Sequence, residues 1–319
     1  MSVTLAAYQP SHLPALVLFL NRVLAGHRHW APISQADFCE RVLDQPAFDP
    51  HGLILAWAGD VVVGGVHALK PPSGVSYASC APGHQIVWLA VTPEYRQQRV
   101  GGRLLMAAED YLRACPVYFA GQSAPLYGII EKLWAPWYGS TERMGVSAIH
   151  AAGWIEWLLR RGYTVVNPGD VSLAALLHER ERPGDPGLVQ QGLRLVPINQ
   201  HAPWTGAEPV YRLRRWGTNG GRAYQGLVVA DDETAVGSAV WYPLPDGVTA
   251  ALAWIGLERR YRGLRFGSYL LDRALAEMAH GGYTAVEVHA HTRENPEAVA
   301  MFRHRGFEVI DYWVNLAKT

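Results

Sequence analysis

The sequence predicts an α/β (α+β) protein of two tandem domains, each a mixed, mostly antiparallel central sheet flanked by helices. Three observations carry that expectation. One strand–turn–helix stretch occurs twice at a constant offset. The chain has 319 residues, 49% of them hydrophobic and 18% charged, enough for two full cores. Between the two copies, Glu179-Arg180-Glu181-Arg182-Pro183-Gly184-Asp185-Pro186-Gly187 is charged, rich in proline and glycine, and without an apolar period. This places a first domain at 1–178, a linker at 179–192 and a second domain at 193–319.

The repeated stretch runs from Trp88 to Leu105 and again from Trp254 to Leu271, an offset of 254 − 88 = 166. The pairs Trp88/Trp254, Tyr95/Tyr261, Arg96/Arg262, Arg99/Arg265, Gly101/Gly267 and Leu105/Leu271 are identical, which marks an internal duplication. Each copy reads as a short apolar strand, a basic glycine-containing turn and an amphipathic helix.

Taken in order, the segment to Tyr8 alternates as a strand, and a helix begins near Ser11, with Ser11 as N-cap. Ser34-Gln35-Ala36-Asp37 opens a second helix with Phe38, Val42 and Leu43 on one face. Leu53–Trp57 and Val61–His67 flank the turn Ala58-Gly59-Asp60 as a hairpin. His84–Val91 is the strand feeding the first basic turn, followed by a helix over Gly101–Ala114 and a strand over Pro116–Ala120. A long loop through Trp134, Trp137 and Glu142 reads equally as a lid or substrate wall and as an oligomer contact or plain packed excursion. A helix over Ala151–Arg161 stops at Gly162; strands are predicted at Tyr163–Val166 and at Val171–Leu177. The second half repeats the plan: a strand at Leu193–Pro197, a hairpin of Gly226–Ala230 with Ala235–Trp241, and a strand at Ala250–Leu257. A helix at Ser268–His280, a strand at Ala285–His291 and a helix over Asn295–Phe307 follow.

Lys plus Arg number 28 and Asp plus Glu 28, so no whole-chain field favours nucleic acid or an anionic membrane. The apolar run Leu13–Leu20 is short of the ~20 residues that a membrane helix needs. Cys39, Cys80 and Cys115 are odd in number, lack C-x-x-C spacing and fit free thiols in a reducing, cytoplasmic compartment. Neither Gly-x-x-x-x-Gly-Lys-Ser/Thr nor Gly-x-Ser-x-Gly is present.

Each basic turn aims unpaired backbone N–H groups outward at the positive end of a helix dipole, with cationic side chains around it. In physical terms that is a pyrophosphate site. Tyr-Arg-x-x-Arg-x-Gly followed by Leu-Leu resembles the acyl-CoA-binding turn of the GNAT N-acetyltransferases, written Arg/Gln-x-x-Gly-x-Gly/Ala. Both copies depart from it at the first glycine, which is Arg99 and Arg265. A backbone amide survives that change if φ is negative there. A second resemblance is to Asn-x-x-Ala-x-x-x-Tyr-x-x-x-Gly-Phe: Asn295, Ala298, Gly306 and Phe307 match it, and Phe302 replaces the tyrosine. The first half aligns through Gly162-Tyr163, with Ala151 and Leu158 at the asparagine and tyrosine positions.

The resemblance implies a splayed pair of parallel strands in each domain and acetyl-CoA as the cofactor. The pantetheine arm would lie along Leu89, Ala90 and Val91, or along Ile255, Gly256 and Leu257. The diphosphate would rest on Gln97, Gln98, Arg99, Val100, Gly101 and Gly102, or on Gly263, Leu264, Arg265, Phe266, Gly267 and Ser268. Arg96, Arg99, Arg262 and Arg265 would add cationic contacts, and Asn295 and Phe302 complete the second-half set. The implied reaction acetylates a primary amine of a small molecule or peptide by direct attack, with no nucleic-acid or membrane partner and a monomer or homodimer as the working unit.

For the base, Glu287 and His289 share one strand face with His291, and Glu142 is the first-half candidate. Phe302 and Leu158 cannot protonate a leaving group, but a thiol of pKa ~8.5 leaves as the anion at modest cost. His289-x-His291 and His27-x-His29 lack a third ligand in the sequence, so no metal is predicted. The rival expectation is a non-catalytic module that holds or senses acyl-CoA, with one or both domains degenerate.

Overall fold

In a computed structural model of the chain the described residues are 2–25, 32–44, 48–70, 84–113, 117–119, 145–178, 181–198, 225–232 and 234–319. The first half contains β1 (Val3–Ala7), α1 (Leu13–Val23), α2 (Gln35–Phe38), β2 (Leu53–Ala58), β3 (Val61–Leu69), β4 (His84–Val91) and α3 (Val100–Leu112). It continues with β5 (Val117–Phe119), β6 (Val146–Ser147), α4 (Ala152–Leu159) and β7 (Thr164–Leu176). The second half contains β8 (Leu193–Pro197), β9 (Gln225–Asp231), β10 (Thr234–Pro243), β11 (Thr249–Leu257), α5 (Phe266–His280), β12 (Ala285–His291), α6 (Pro296–Arg303) and β13 (Glu308–Lys318).

Each half is built the same way. β1 to β4 pair antiparallel in sequence, and β5 lies parallel to β4. Likewise β8 to β11 are antiparallel and β12 is parallel to β11. The expected mixed, mostly antiparallel sheets are therefore present, with helices packed on them. Leu104, Leu105, Ala108 and Leu112 anchor α3, and Leu270, Leu271, Ala274, Leu275 and Met278 anchor α5.

The halves do not close on themselves. The strand after the last helix of each half crosses into the other. β7 leaves α4 and pairs antiparallel with β12, from Leu176↔Ala285 to Asp170↔His291. β13 leaves α6 and pairs antiparallel with β5, including Lys318↔Val117. The two crossing strands also pair with each other, from Glu308↔Ala174 to Ala317↔Thr164. One sheet of 13 strands results among the described residues, running β1-β2-β3-β4-β5-β13-β7-β12-β11-β10-β9-β8, with β6 on β13. The cores follow the exchange: Val171, Leu173 and Ala175 of β7 lie in the second-half core, and Leu316 of β13 lies in the first.

Several local expectations change. Ser11 is not an N-cap: a 3-10 turn, Pro10–His12, precedes α1, and Gln9 N–H donates to His12 Nδ1 at 3.1 Å. Proline at a first helical position starts the turn early. Ser34 does cap α2, accepting from Asp37 N–H at 3.1 Å. α3 ends at Leu112 rather than Ala114, because Arg113 enters the left-handed region at φ 45°. The strands expected at 163–166 and 171–177 are one strand. Pro168, between them, sits where the register against β13 shifts between Trp313 and Val314. A bulge is where a strand tolerates proline. Glu142, Trp134, Trp137, Cys80, Cys115, His27 and His29 lie outside the described residues. Cys39 is a free thiol. Among the described residues no helix is long and apolar enough to cross a membrane.

Candidate active site

The parallel strands of the second half separate partway along, and those of the first half pair over the whole described part of β5. β4 and β5 pair at His84↔Val117, Gln85↔Tyr118 and Ile86↔Phe119, whereas β4 runs on to Val91. β11 and β12 pair from Thr249↔Ala285 to Leu252↔Val288, whereas β11 runs on to Leu257. Ile255, Gly256 and Leu257 thus lie beyond the last parallel pair of β11 with β12, whereas Leu89, Ala90 and Val91 lie past the point where the described part of β5 ends, at Phe119. Their other edge is held by β3 or β10, through Val66↔Leu89 and Ala239↔Ile255 among others.

Each strand ends in a matching turn. Tyr95 and Tyr261 close 3-10 helices, Pro93–Tyr95 and Arg259–Tyr261. Arg96 and Arg262 then adopt the same extended conformation, and each returns its Nε–H to the end of its strand: Arg96 to the Val91 carbonyl at 3.1 Å, Arg262 to the Leu257 carbonyl at 3.2 Å. These guanidiniums brace the turn while their outer edges face solvent. Gln98 does the same for the first turn, donating to the Glu94 carbonyl at 2.8 Å.

The backbone at Arg99 and Arg265 reverses an expectation. Both φ values are positive, 63° and 64°, so arginine occupies the left-handed seat that glycine fills without strain. The cost is about 1–2 kcal/mol for each. Each arginine is followed directly by right-handed helix, and its carbonyl accepts the first helical hydrogen bond, from Arg103 N–H at 3.1 Å or Tyr269 N–H at 3.0 Å. Left-handed then right-handed residues turn successive N–H groups toward one point, an anion-binding concavity. No side chain caps α3 or α5. The first amides of both helices, Val100, Gly101 and Gly102 and then Phe266, Gly267 and Ser268, lie at a positive dipole end.

Val100 and Phe266 are buried and pin the helix starts to the sheet. Gly101 and Gly267 are not required by backbone conformation, since neither has a positive φ. Nor are they required by internal packing: a Cβ would stand 3.7 Å from Val91 Cγ2 at Gly101 and 3.6 Å from Leu257 Cδ1 at Gly267, ordinary contact distances. Glycine in a helix costs about 0.5–1 kcal/mol relative to alanine. Its presence at both positions fits a cradle in which a ligand approaches the main chain.

The two sites differ around this shared turn. All of Gln85 to Val91 is buried, whereas Ala253 to Gly256 is half-exposed. Both turns are exposed at Arg99 and Arg265 and at their neighbours Gln98 and Leu264. Arg161, which the motif does not include, lies beside the first turn: its Nη2 is 3.7 Å from where a Cβ on Gly102 would be, and its guanidinium stacks 3.9 Å over Trp157. Arg305, in the matching place before Gly306, is held by Asp272 at 2.6 and 2.9 Å and donates to the Ser268 carbonyl at 3.3 Å. Sequence comparison of the two Arg-Gly helix ends could have found Arg161.

Of the other predicted residues, Glu287 is wholly buried and His289 half-buried. His289 stands one residue beyond the last β11–β12 pair, on the wall of the gap. His291 Nδ1 lies 3.1 Å from Asp170 Oδ1, a carboxylate supplied by β7. Asn295 occupies the N-cap of α6. Phe302 is 2% exposed, and its ring packs 5.2 Å from that of Phe307 in the second-half core.

Against known proteins, the profile of the acetyltransferase (GNAT) family matches residues 21–123 and again 195–307. A tandem GNAT protein from the clavulanic acid biosynthesis pathway has a similar fold, at TM-score 0.66 and 16% identity over 99% of this chain and 98% of that one. A GCN5-related N-acetyltransferase from Sphaerobacter thermophilus aligns at TM-score 0.58 and 15% identity, over 99% and 95% of the two chains. The glucosamine N-acetyltransferase region of a fungal multi-domain GH3 β-N-acetylglucosaminidase aligns at TM-score 0.64 and 14% identity, over 99% of this chain and 38% of that one. A search of curated proteins finds no match.

Proposed function

Because the chain belongs to the acetyltransferase (GNAT) family, matched over both halves, we propose that it transfers the acetyl group of acetyl-CoA to a primary amine of a small molecule or peptide, and that the second half carries the reaction. The observation behind this choice is the half-exposed stretch Ala253–Gly256, which lies past its last parallel partner and leads to the arginine-capped start of α5. A pantetheine arm needs strand backbone that it can reach. In the first half the corresponding strand is buried.

In this reading the amides at Gly263 to Ser268 hold the diphosphate, with Arg265 adding charge from its exposed position. Bound acetyl-CoA supplies an activated thioester. The Ile255 main-chain N–H is placed to stabilise the oxyanion as the amine attacks the carbonyl. His289, on the opposite wall, takes a proton from the substrate's ammonium group, which leaves the neutral amine free to attack. Phe302 carries no proton to give, so a bound coenzyme's thiol would have to leave as its anion. The first half keeps the turn and contributes β7 to the wall beside β12.

Calorimetric titration with acetyl-CoA and a free-thiol release assay over a panel of amines test the proposal together. Heat of binding with turnover on at least one amine is the expected result. The absence of binding heat overturns it; binding without turnover on any amine assigns the chain a holding or sensing role instead.

A further inference from the structure

The sequence offers His289-x-His291 without a third ligand, and the strand exchange brings one. On β12 the two histidines project from one face, two residues apart. β7 lies antiparallel beside it with Asp170 directly opposite His291, and directly opposed residues on paired strands have Cβ atoms ~5 Å apart. The result is a right-angled corner: two imidazoles along one strand and a carboxylate across from the second. His291 Nδ1 and Asp170 Oδ1 are 3.1 Å apart, close to the spacing of neighbouring ligands around an ion whose bonds are ~2 Å long. The His289 ring stands edge-on to His291, with centroids 5.3 Å apart. One ligand atom from each residue fits within a span of 4.8 Å.

Burial distinguishes this corner from a solvated cluster of charges. Asp170 is 3% exposed and sits at the centre of the exchanged strands, opposite Trp313 as well as His291. The His291 side chain is 24% exposed, so the corner opens to one side. We propose that Asp170, His289 and His291 form a binding site for a divalent transition-metal ion of the zinc type, with two imidazoles, one carboxylate and a position left for water. The site is composite: the histidines come from the second half and the carboxylate from the first. A bound ion takes the His289 lone pair, so metal loading and the proposed proton transfer exclude each other.

The test uses the full-length, untagged chain, stripped with a chelator and titrated with Co(II) by visible absorption and Zn(II) by calorimetry. The wild type is expected to bind one equivalent that Asp170→Asn, His289→Gln and His291→Gln each weaken by roughly a hundredfold or more, since each removes a ligand. Zinc-edge X-ray absorption on the wild type, which needs no variant to fold, is expected to show two imidazole ligands. Failure of the wild type to take up metal, a zinc shell without imidazole, or wild-type affinity in the three variants overturns the site. Gly267→Glu, which targets the anion turn, is expected to lose acetyl-CoA binding and keep the metal. This separates failure of the metal site from failure of the acetyltransferase reading.

Discussion

At the first basic turn Gln97 and Arg99 both stand in the left-handed region, at φ 62° and 63°; at the second, Gly263 and Arg265 stand there, at 82° and 64°. The arginine clasps on the strand ends agree to within 0.1 Å, 3.1 against 3.2 Å. The surroundings diverge. The first turn has Arg161 beside it and a buried strand below it; the second has Arg305 neutralised by Asp272 and a half-exposed strand. Duplication has thus preserved the backbone of the basic turn more faithfully than the strand surface beneath it. The difference between the halves resides in access to β4 and β11, not in the loop that names the motif.

The same contrast appears on the exchanged strands. In the first half, Asp311 of β13 accepts from Ser147 Oγ at 2.6 Å and from the Ile149 N–H at 3.3 Å, fastening a short loop. In the second, Asp170 of β7 faces a histidine pair. Each half therefore receives a buried carboxylate from the other, and among the described residues only the second half sets it against a histidine pair.

The largest effect is expected from cutting the chain between residues 181 and 192. Each fragment would lose a central strand of its sheet, so neither alone should show a cooperative melt, whereas the mixed fragments should regain it. A stable, monomeric first fragment would mean that the exchange is dispensable. Next, His289→Gln should lower kcat by ~10²–10⁴-fold and remove the acid limb of the pH–rate profile, with acetyl-CoA binding kept. An unchanged profile would remove His289 from the reaction. Gly267→Glu should weaken acetyl-CoA binding by about a hundredfold or more, roughly 3 kcal/mol, through repulsion and lost space at the amides. Gly101→Glu should change it several-fold at most. Equal losses in calorimetry would break the assignment of the two halves.

A smaller difference concerns acid. His67 faces Trp88 in the register, and Val240 faces Trp254 at the matching position of the second half. Burial holds the His67 pKa down at about 3, against an ordinary 6.5. The unfolded chain therefore takes up a proton between those pH values that the folded chain refuses. Stability falls as pH drops through that window, by at most ~1.4 kcal/mol per pH unit. His67→Val should flatten the dependence measured by urea unfolding. The smallest effects are expected at the turns: Gln97→Gly, Arg99→Gly and Arg265→Gly should each stabilise the chain by ~1 kcal/mol in the same assay by relieving left-handed strain. Of the three, only Arg265→Gly should also weaken acetyl-CoA binding.

Much of the fold was legible because it is local. The first hairpin declared itself by apolar runs on either side of Gly59-Asp60, α3 and α5 by their apolar stripes, and the duplication by a constant offset of identical residues. The basic turns were legible for the same reason, since a helix start and its glycine lie within a few residues of each other. The sign of φ at Arg99 and Arg265 was not, because an L-residue in the left-handed region is held there by the clasp and the buried neighbour rather than by its own preference.

The amino-acid sequence by itself determined that there are two copies of one α/β plan, where each turn falls, and which side chains line β12. Only the tertiary structure decided that β7 and β13 change places, that Pro168 lies inside a strand, and that Asp170 meets His291. Periodicity tells a strand which face to bury, but the choice of partner depends on hydrogen bonds between segments more than a hundred residues apart, Asp170 with His291 among them, and no local pattern encodes that distance.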